Sequence, residues 1–98
     1  MPFIQTIEFQ TGRIHEYEAL LDNWLTLSKD WRTATRSVRT KDRDRADTYV
    51  QIVEFPSYEK AQENSNHPAT AEFAERLAKV CDIPPVFRNL DVLSEEAM

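Results

Sequence analysis

Residues 48–55, TYVQIVEF, constrain this chain more than any other stretch. Successive side chains of an extended strand point to opposite sides. Tyr49, Val53 and Phe55 therefore share one face, and Val50 and Ile52 share the other. Both faces are apolar. A strand wetted on one side alternates apolar with polar residues, so a doubly apolar strand predicts cover on both sides. Residues 3–10 (FIQTIEFQ) set Phe3, Ile7 and Phe9 against Ile4, and residues 86–93 set Phe87 and Leu93 against Val86, Leu90 and Val92. The chain has 98 residues, which is one small domain (1–98) with no room for a second core. Its own helices can cover one face. The other face predicts a second copy of the chain, pressed sheet to sheet.

Between these strands the period changes. Thr11-Gly12-Arg13 is a turn, and Ile14, Tyr17, Leu21, Trp24 and Leu25, widened by Leu20, form a helical stripe ending near Ser28. Residues 32–40 (RTATRSVRT) alternate and carry branched side chains, which predicts a strand. Residues 41–47 (KDRDRAD) are a charged turn. Pro56 stops the strand over 48–55, and Ser57 can cap a helix from Tyr58. That helix falters at Asn64-Ser65-Asn66. Pro68 suits the first turn of its continuation, with Asn66 or His67 near the cap. Phe73, Ala74, Leu77 and Val80 give the continuation its buried face, and Ile83-Pro84-Pro85 ends it. The order is βαββαβ, a ferredoxin-like α+β domain whose antiparallel sheet carries both helices on one face.

Composition removes several function classes. Net charge is −5, from 12 Lys+Arg and 17 Asp+Glu, which argues against a general nucleic-acid coat. No run approaches the ~18 apolar residues of a membrane span. The N-terminus lacks the basic start and apolar run of a signal peptide. Cys81 is the one cysteine, so no internal disulfide is expected and a reducing cytoplasm suits the chain. With it, two histidines make a poor zinc set, so no metal site is expected. Gly12 is the single glycine, which excludes glycine-rich phosphate loops.

The element order, the size and the run VEFPSYEKAQENSNHPATAEFAERL resemble the dimeric α/β-barrel superfamily, and within it the antibiotic-biosynthesis-monooxygenase-like proteins. Those proteins typically follow the third strand with an aromatic residue, a short helix, and a His-Pro-type step into a second helix bearing Phe and Leu. Phe55, His67, Pro68, Phe73 and Leu77 match that pattern. The resemblance implies a homodimer in which two sheets face each other, and a pocket between sheet and helices. It also implies monooxygenation of a small aromatic or polyketide-type compound without metal or flavin. The deprotonated substrate supplies the electrons to oxygen. The protein supplies an apolar pocket, a proton acceptor and an oxyanion partner. The haem-degrading branch needs a histidine inside the second helix and an asparagine on the first strand. ATAEFAERLAKV and FIQTIEFQ have neither, which excludes it.

The candidate residues follow from that chemistry. His67 is the candidate proton acceptor and Arg36 the anion holder. Trp24 and Trp31 can stack on a planar ring, and Tyr49 and Asn64 complete the substrate-binding set. Each has a plainer reading. Trp24 belongs to a core stripe, His67 beside Pro68 caps a helix, and Arg36 pairs with an acid on an exposed strand. Tyr49 packs with its hydroxyl at the rim, and Asn64 belongs to the helix interruption. Two rival functions remain. One is a non-catalytic small-molecule binder or structural dimer of the same fold. The other is an RNA-recognition module, which shares the element order. Seven cations and three acids between Lys29 and Arg45 favour it. Val50 and Ile52, standing where base-stacking aromatics belong, oppose it.

Overall fold

The computed structural model describes residues 1–98. The elements run β1 (Phe3–Gln10), α1 (Ile14–Leu27), β2 (Arg36–Lys41), β3 (Thr48–Phe55), α2 (Tyr58–Ser65), α3 (Pro68–Val80) and β4 (Val86–Asp91). The strands form one antiparallel sheet in the order β2-β3-β1-β4. This is the expected ferredoxin-like α+β architecture, with the second helix divided in two. Pro68 has no N–H to donate and crowds the residue before it out of helical geometry. His67 is accordingly extended (φ −70°, ψ 136°), and its Nδ1 accepts the Ala69 N–H at 3.1 Å as the N-cap of α3. Ser57 caps α2 in the same manner, its Oγ accepting from Lys60 N–H at 3.2 Å.

Two strand limits differ from the sequence pattern. β2 begins at Arg36, not at residue 32. Residues 32–35 instead form an arch, because their polar groups find partners elsewhere. Thr33 N–H donates to Asn64 Oδ1 (3.3 Å), and Thr33 Oγ1 donates to the Lys60 carbonyl (2.5 Å). β4 ends at Asp91, two residues early, and only the Val92 N–H continues the pairing, to the Pro2 carbonyl.

Register assigns the faces. Phe3, Gln5, Ile7 and Phe9 stand beside Phe55, Val53, Gln51 and Tyr49, and all three helices pack on this side. Ile7 and Phe9 cluster with Tyr17 and Leu21 of α1 and with Leu77 and Val80 of α3. Phe3 and Phe55 cluster with Ala61 of α2. Each large apolar side chain buried there contributes about 1.5–3 kcal/mol. The β1–α1 turn locks the end of α3. Thr11, fully buried, donates its hydroxyl to the Val80 carbonyl (2.7 Å), and the Arg13 guanidinium donates to the Lys79 carbonyl (2.7 Å). That places a cation at the negative end of the helix dipole.

The opposite face carries Ile4, Val38, Val50, Ile52 and Leu90, crossed by the ion pairs Arg36–Glu54 (2.8 Å) and Arg88–Glu8 (3.5 Å). None of the chain's helices lies over it. The charged hairpin between β2 and β3 is folded by Asp42, whose carboxylate accepts from the Asp44 and Arg45 N–H groups. The Asp44 backbone bond first, the Arg45 side chain next and the Arg45 backbone bond last hold its pKa below the ordinary value. No helix is long and apolar enough to cross a membrane.

Candidate functional site

The core is two clusters, and the space between them is a cavity of about 400 Å³. Small side chains create it: Ala34 in the arch, Ser37 on β2, and Ala71 and Ala74 on α3. Large ones wall it. Leu21, Trp24 and Leu25 come from α1, Phe73 from α3, and Ile7, Val53, Phe55 and Phe87 from the sheet. Its volume lies within the ~300–1,000 Å³ of small-molecule pockets.

The polar groups reach the cavity in a fixed order. Gln51 lies on the inward face of β3 and is 2% exposed. Its Oε1 accepts from the Tyr17 hydroxyl (2.8 Å), and its Nε2 donates to Ser37 Oγ (2.5 Å). Both ends of the amide are thus committed. Ser37 Oγ accepts from that amide and keeps its own hydrogen free to donate into the cavity. Asn64, buried where α2 ends, spends Oδ1 on the Thr33 N–H. Its Nδ2 has no partner within the chain and is a second free donor beside the cavity. Trp24 Nε1 donates to Thr70 Oγ1 (3.0 Å), and Gln5 Nε2 donates to Asn89 Oδ1 (3.2 Å). Arg32 anchors the arch, its guanidinium donating to the Leu25 carbonyl at the end of α1. No carboxylate lines the space.

Burial pushes the Tyr17 hydroxyl far above the ordinary phenol value, with nearby Arg39 opposing it. A raised pKa favours the protonated folded form. The linked stability is therefore complete below the ordinary value of about 10 and is lost as pH rises beyond it. Urea midpoints measured from about pH 9 to 11 are expected to fall more steeply for the native chain than for Tyr17→Phe. Parallel slopes would show that Tyr17 does not carry the effect. Burial likewise raises the half-buried Cys81 thiol, with Asp82 adding to it, which disfavours the reactive thiolate.

The structure distributes the sequence candidates over four places. Trp24 and Asn64 line the cavity. Arg36 reaches its rim, but its register opposite Glu54 turns the guanidinium to the other face of the sheet, where Glu54 holds it at 2.8 Å. His67 and Trp31 lie outside the lining and stack on each other, centroids 3.4 Å apart and planes 4° from parallel. His67 Nδ1, already accepting the α3 cap bond, is not free to take a substrate proton. Tyr49 stacks on Phe9 and lines a second cavity of about 170 Å³, whose lining shares Gln51 with the first. Sequence reasoning passed over Gln51, Tyr17 and Ser37. Gln51 has a legible signal, a polar residue in register with Tyr49, Val53 and Phe55 on the inward face. Tyr17 reads as plain core, and Ser37 has no signal at all.

No protein-family model matches the chain, and no curated protein matches it by sequence. Solved structures do. Rv0793 of Mycobacterium tuberculosis superposes with TM-score 0.81 at 16% identity, covering 99% of this chain and 100% of that one. SnoaB, a cofactor-independent oxygenase from Streptomyces nogalater, gives 0.77 at 13% identity, covering 96% and 94%. An antibiotic biosynthesis monooxygenase gives 0.75 at 10% identity, covering 96% and 100%. The chain has the ferredoxin-like fold of the antibiotic-biosynthesis-monooxygenase-like proteins.

Proposed function

We propose that the chain is a monooxygenase-like protein that oxidises a small electron-rich aromatic compound without metal or flavin, and that it works as a sheet-to-sheet homodimer. The observation that carries this reading is the cavity itself: aromatic walls, no carboxylate, and uncommitted neutral donors that include Ser37 Oγ and Asn64 Nδ2. That SnoaB is a cofactor-independent oxygenase of the same fold adds support.

The donors set the mechanism. Hydrogen bonds to an anion favour its charged form. A phenol or an activated ring methylene whose oxygen sits against Ser37 and Asn64 is more acidic there than in water, and its proton leaves to solvent at the mouth. The role of acid–base partner thus moves from His67 to the bound anion's own environment, and the anion holder from Arg36 to Ser37 and Asn64. Trp24 and Phe73 hold the ring plane. The anion passes one electron to O2, and the two radicals combine into a peroxide anion on the ring carbon, which takes a proton from solvent to become the hydroperoxide. Loss of water leaves a carbonyl. One oxygen atom ends in the product and the other in water.

Anthrone, whose ring methylene becomes the carbonyl of anthraquinone, is a suitable probe. Stoichiometric O2 uptake is expected, with labelled oxygen in the new carbonyl and rates unaffected by chelators. Binding without turnover would replace this reading with the non-catalytic binder, which the lack of any ionisable base in the cavity also favours. Absence of binding would remove both.

A further inference from the structure

Aromatic rings form a continuous line through the core. Tyr49, Phe9, Tyr17, Phe73, Trp24 and Trp31 follow one another with neighbouring centroids 5.6, 4.3, 6.2, 6.4 and 6.1 Å apart. Trp31 ends the line against the face of His67. Apolar packing needs surface, and Leu or Phe supplies it without an N–H to satisfy. Indole adds something else, since indole and phenol are among the side chains that give up an electron most readily.

The two indoles differ in what they can do with a proton. Trp24 lines the cavity, and its Nε1–H is held by the Thr70 hydroxyl, a very weak base. Trp31 is half-exposed outside the cavity, and its Nε1–H has no acceptor within the chain. An oxidised Trp24 keeps its proton, whereas an oxidised Trp31 loses its proton to water. That difference drives an electron vacancy from Trp24 to Trp31. The ring stacked on Trp31 does not oppose the move. His67 Nδ1 carries no proton while it accepts the Ala69 N–H.

We infer that Trp24 and Trp31 form a discharge path that carries stray oxidising equivalents from the cavity to the surface. This rests on the oxygenase reading above. A peroxyl or alkoxyl radical left in the cavity takes one electron from Trp24 and is reduced to its anion. Trp24 is refilled by one electron from Trp31. The Trp31 radical cation releases its Nε1 proton to water. A low-molecular-weight thiol then gives the neutral radical a hydrogen atom, and two thiyl radicals couple to a disulfide.

The test uses menadione, a two-ring quinone, at stoichiometric concentration with the full chain. Calorimetric titration and quenching of tryptophan emission report its binding. Illumination then makes it a one-electron oxidant inside the cavity, and peptide mass spectrometry locates the oxidised tryptophan. Oxidation at Trp31 is expected in the native chain, at Trp24 in Trp31→Phe, and at neither site in Trp24→Phe. Bound menadione with damage confined to Trp24 in the native chain would overturn the path and leave the cavity reading standing. So would equal damage at Trp31 in Trp24→Phe, since the quinone would then be reaching Trp31 directly. Absence of binding would overturn the cavity reading, and the path with it.

Discussion

If the proposed dimer forms, an Ile52→Glu variant is expected to elute as a single chain of 11.5 kDa and the native protein at twice that mass. Ile52 stands between Thr6 and Val38 on the uncovered face of the sheet. In a sheet-to-sheet dimer the new carboxylate enters the interface from both copies. Its cross-strand neighbours Thr6 and Val38 carry no charge, and the existing acids Glu8 and Glu54 are already paired with Arg88 and Arg36. An uncompensated buried charge costs about 3–5 kcal/mol, and two-fold symmetry applies it twice. The same side chain in a monomer meets water, so circular dichroism is expected to be unchanged. Light scattering at several concentrations reads the result. A native chain that is monomeric throughout, or a variant that stays dimeric, would remove the proposed assembly.

The sequence makes the sheet legible because period two is a local signal. β1 and β3 follow their alternation from end to end. The start of β2 is not local. Thr33 and Thr35 alternate as a strand would, yet the Thr33 N–H is drawn to Asn64, 31 residues away, and no pattern within residues 32–40 reveals that. The consequence for the site is sharp. Adjacent strand positions face opposite ways, so β2 in its observed register sends Ser37 toward the cavity and Arg36 away from it. Residue chemistry favours Arg36, and register favours Ser37. The cavity itself leaves no mark on the sequence, being volume missing at Ala34, Ser37, Ala71 and Ala74 on three separate stretches. Trp24 and Asn64 were legible as pocket candidates by type and place. His67 was legible as a cap, through Pro68, at least as well as it was as a base.

Ser37→Ala is expected to lower kcat for anthrone by about 10²-fold, the usual scale for losing one donor to a developing oxyanion. The hydroxyl is the last member of an ordered line. Tyr17 commits the oxygen of Gln51, which turns the amide nitrogen toward Ser37 and leaves the serine hydrogen free to donate. Ser37 is exposed on an edge strand, but its loss leaves the buried Gln51 amide nitrogen without its acceptor, so the urea midpoint should fall by a cost of about 1–3 kcal/mol. Tyr17→Phe separates position from contact. Tyr17 does not line the main cavity, yet without its hydroxyl the Gln51 amide is free to turn and Oε1 is left buried without its donor. That costs about 1–3 kcal/mol of stability, and kcat should fall while the affinity for a ring lacking oxygen, such as naphthalene, stays constant. Single-turnover kinetics and naphthalene titration read the two quantities separately. If Ser37→Ala keeps full kcat, the oxyanion is held elsewhere, with Asn64 and Ser65 the uncommitted donors that remain in the lining.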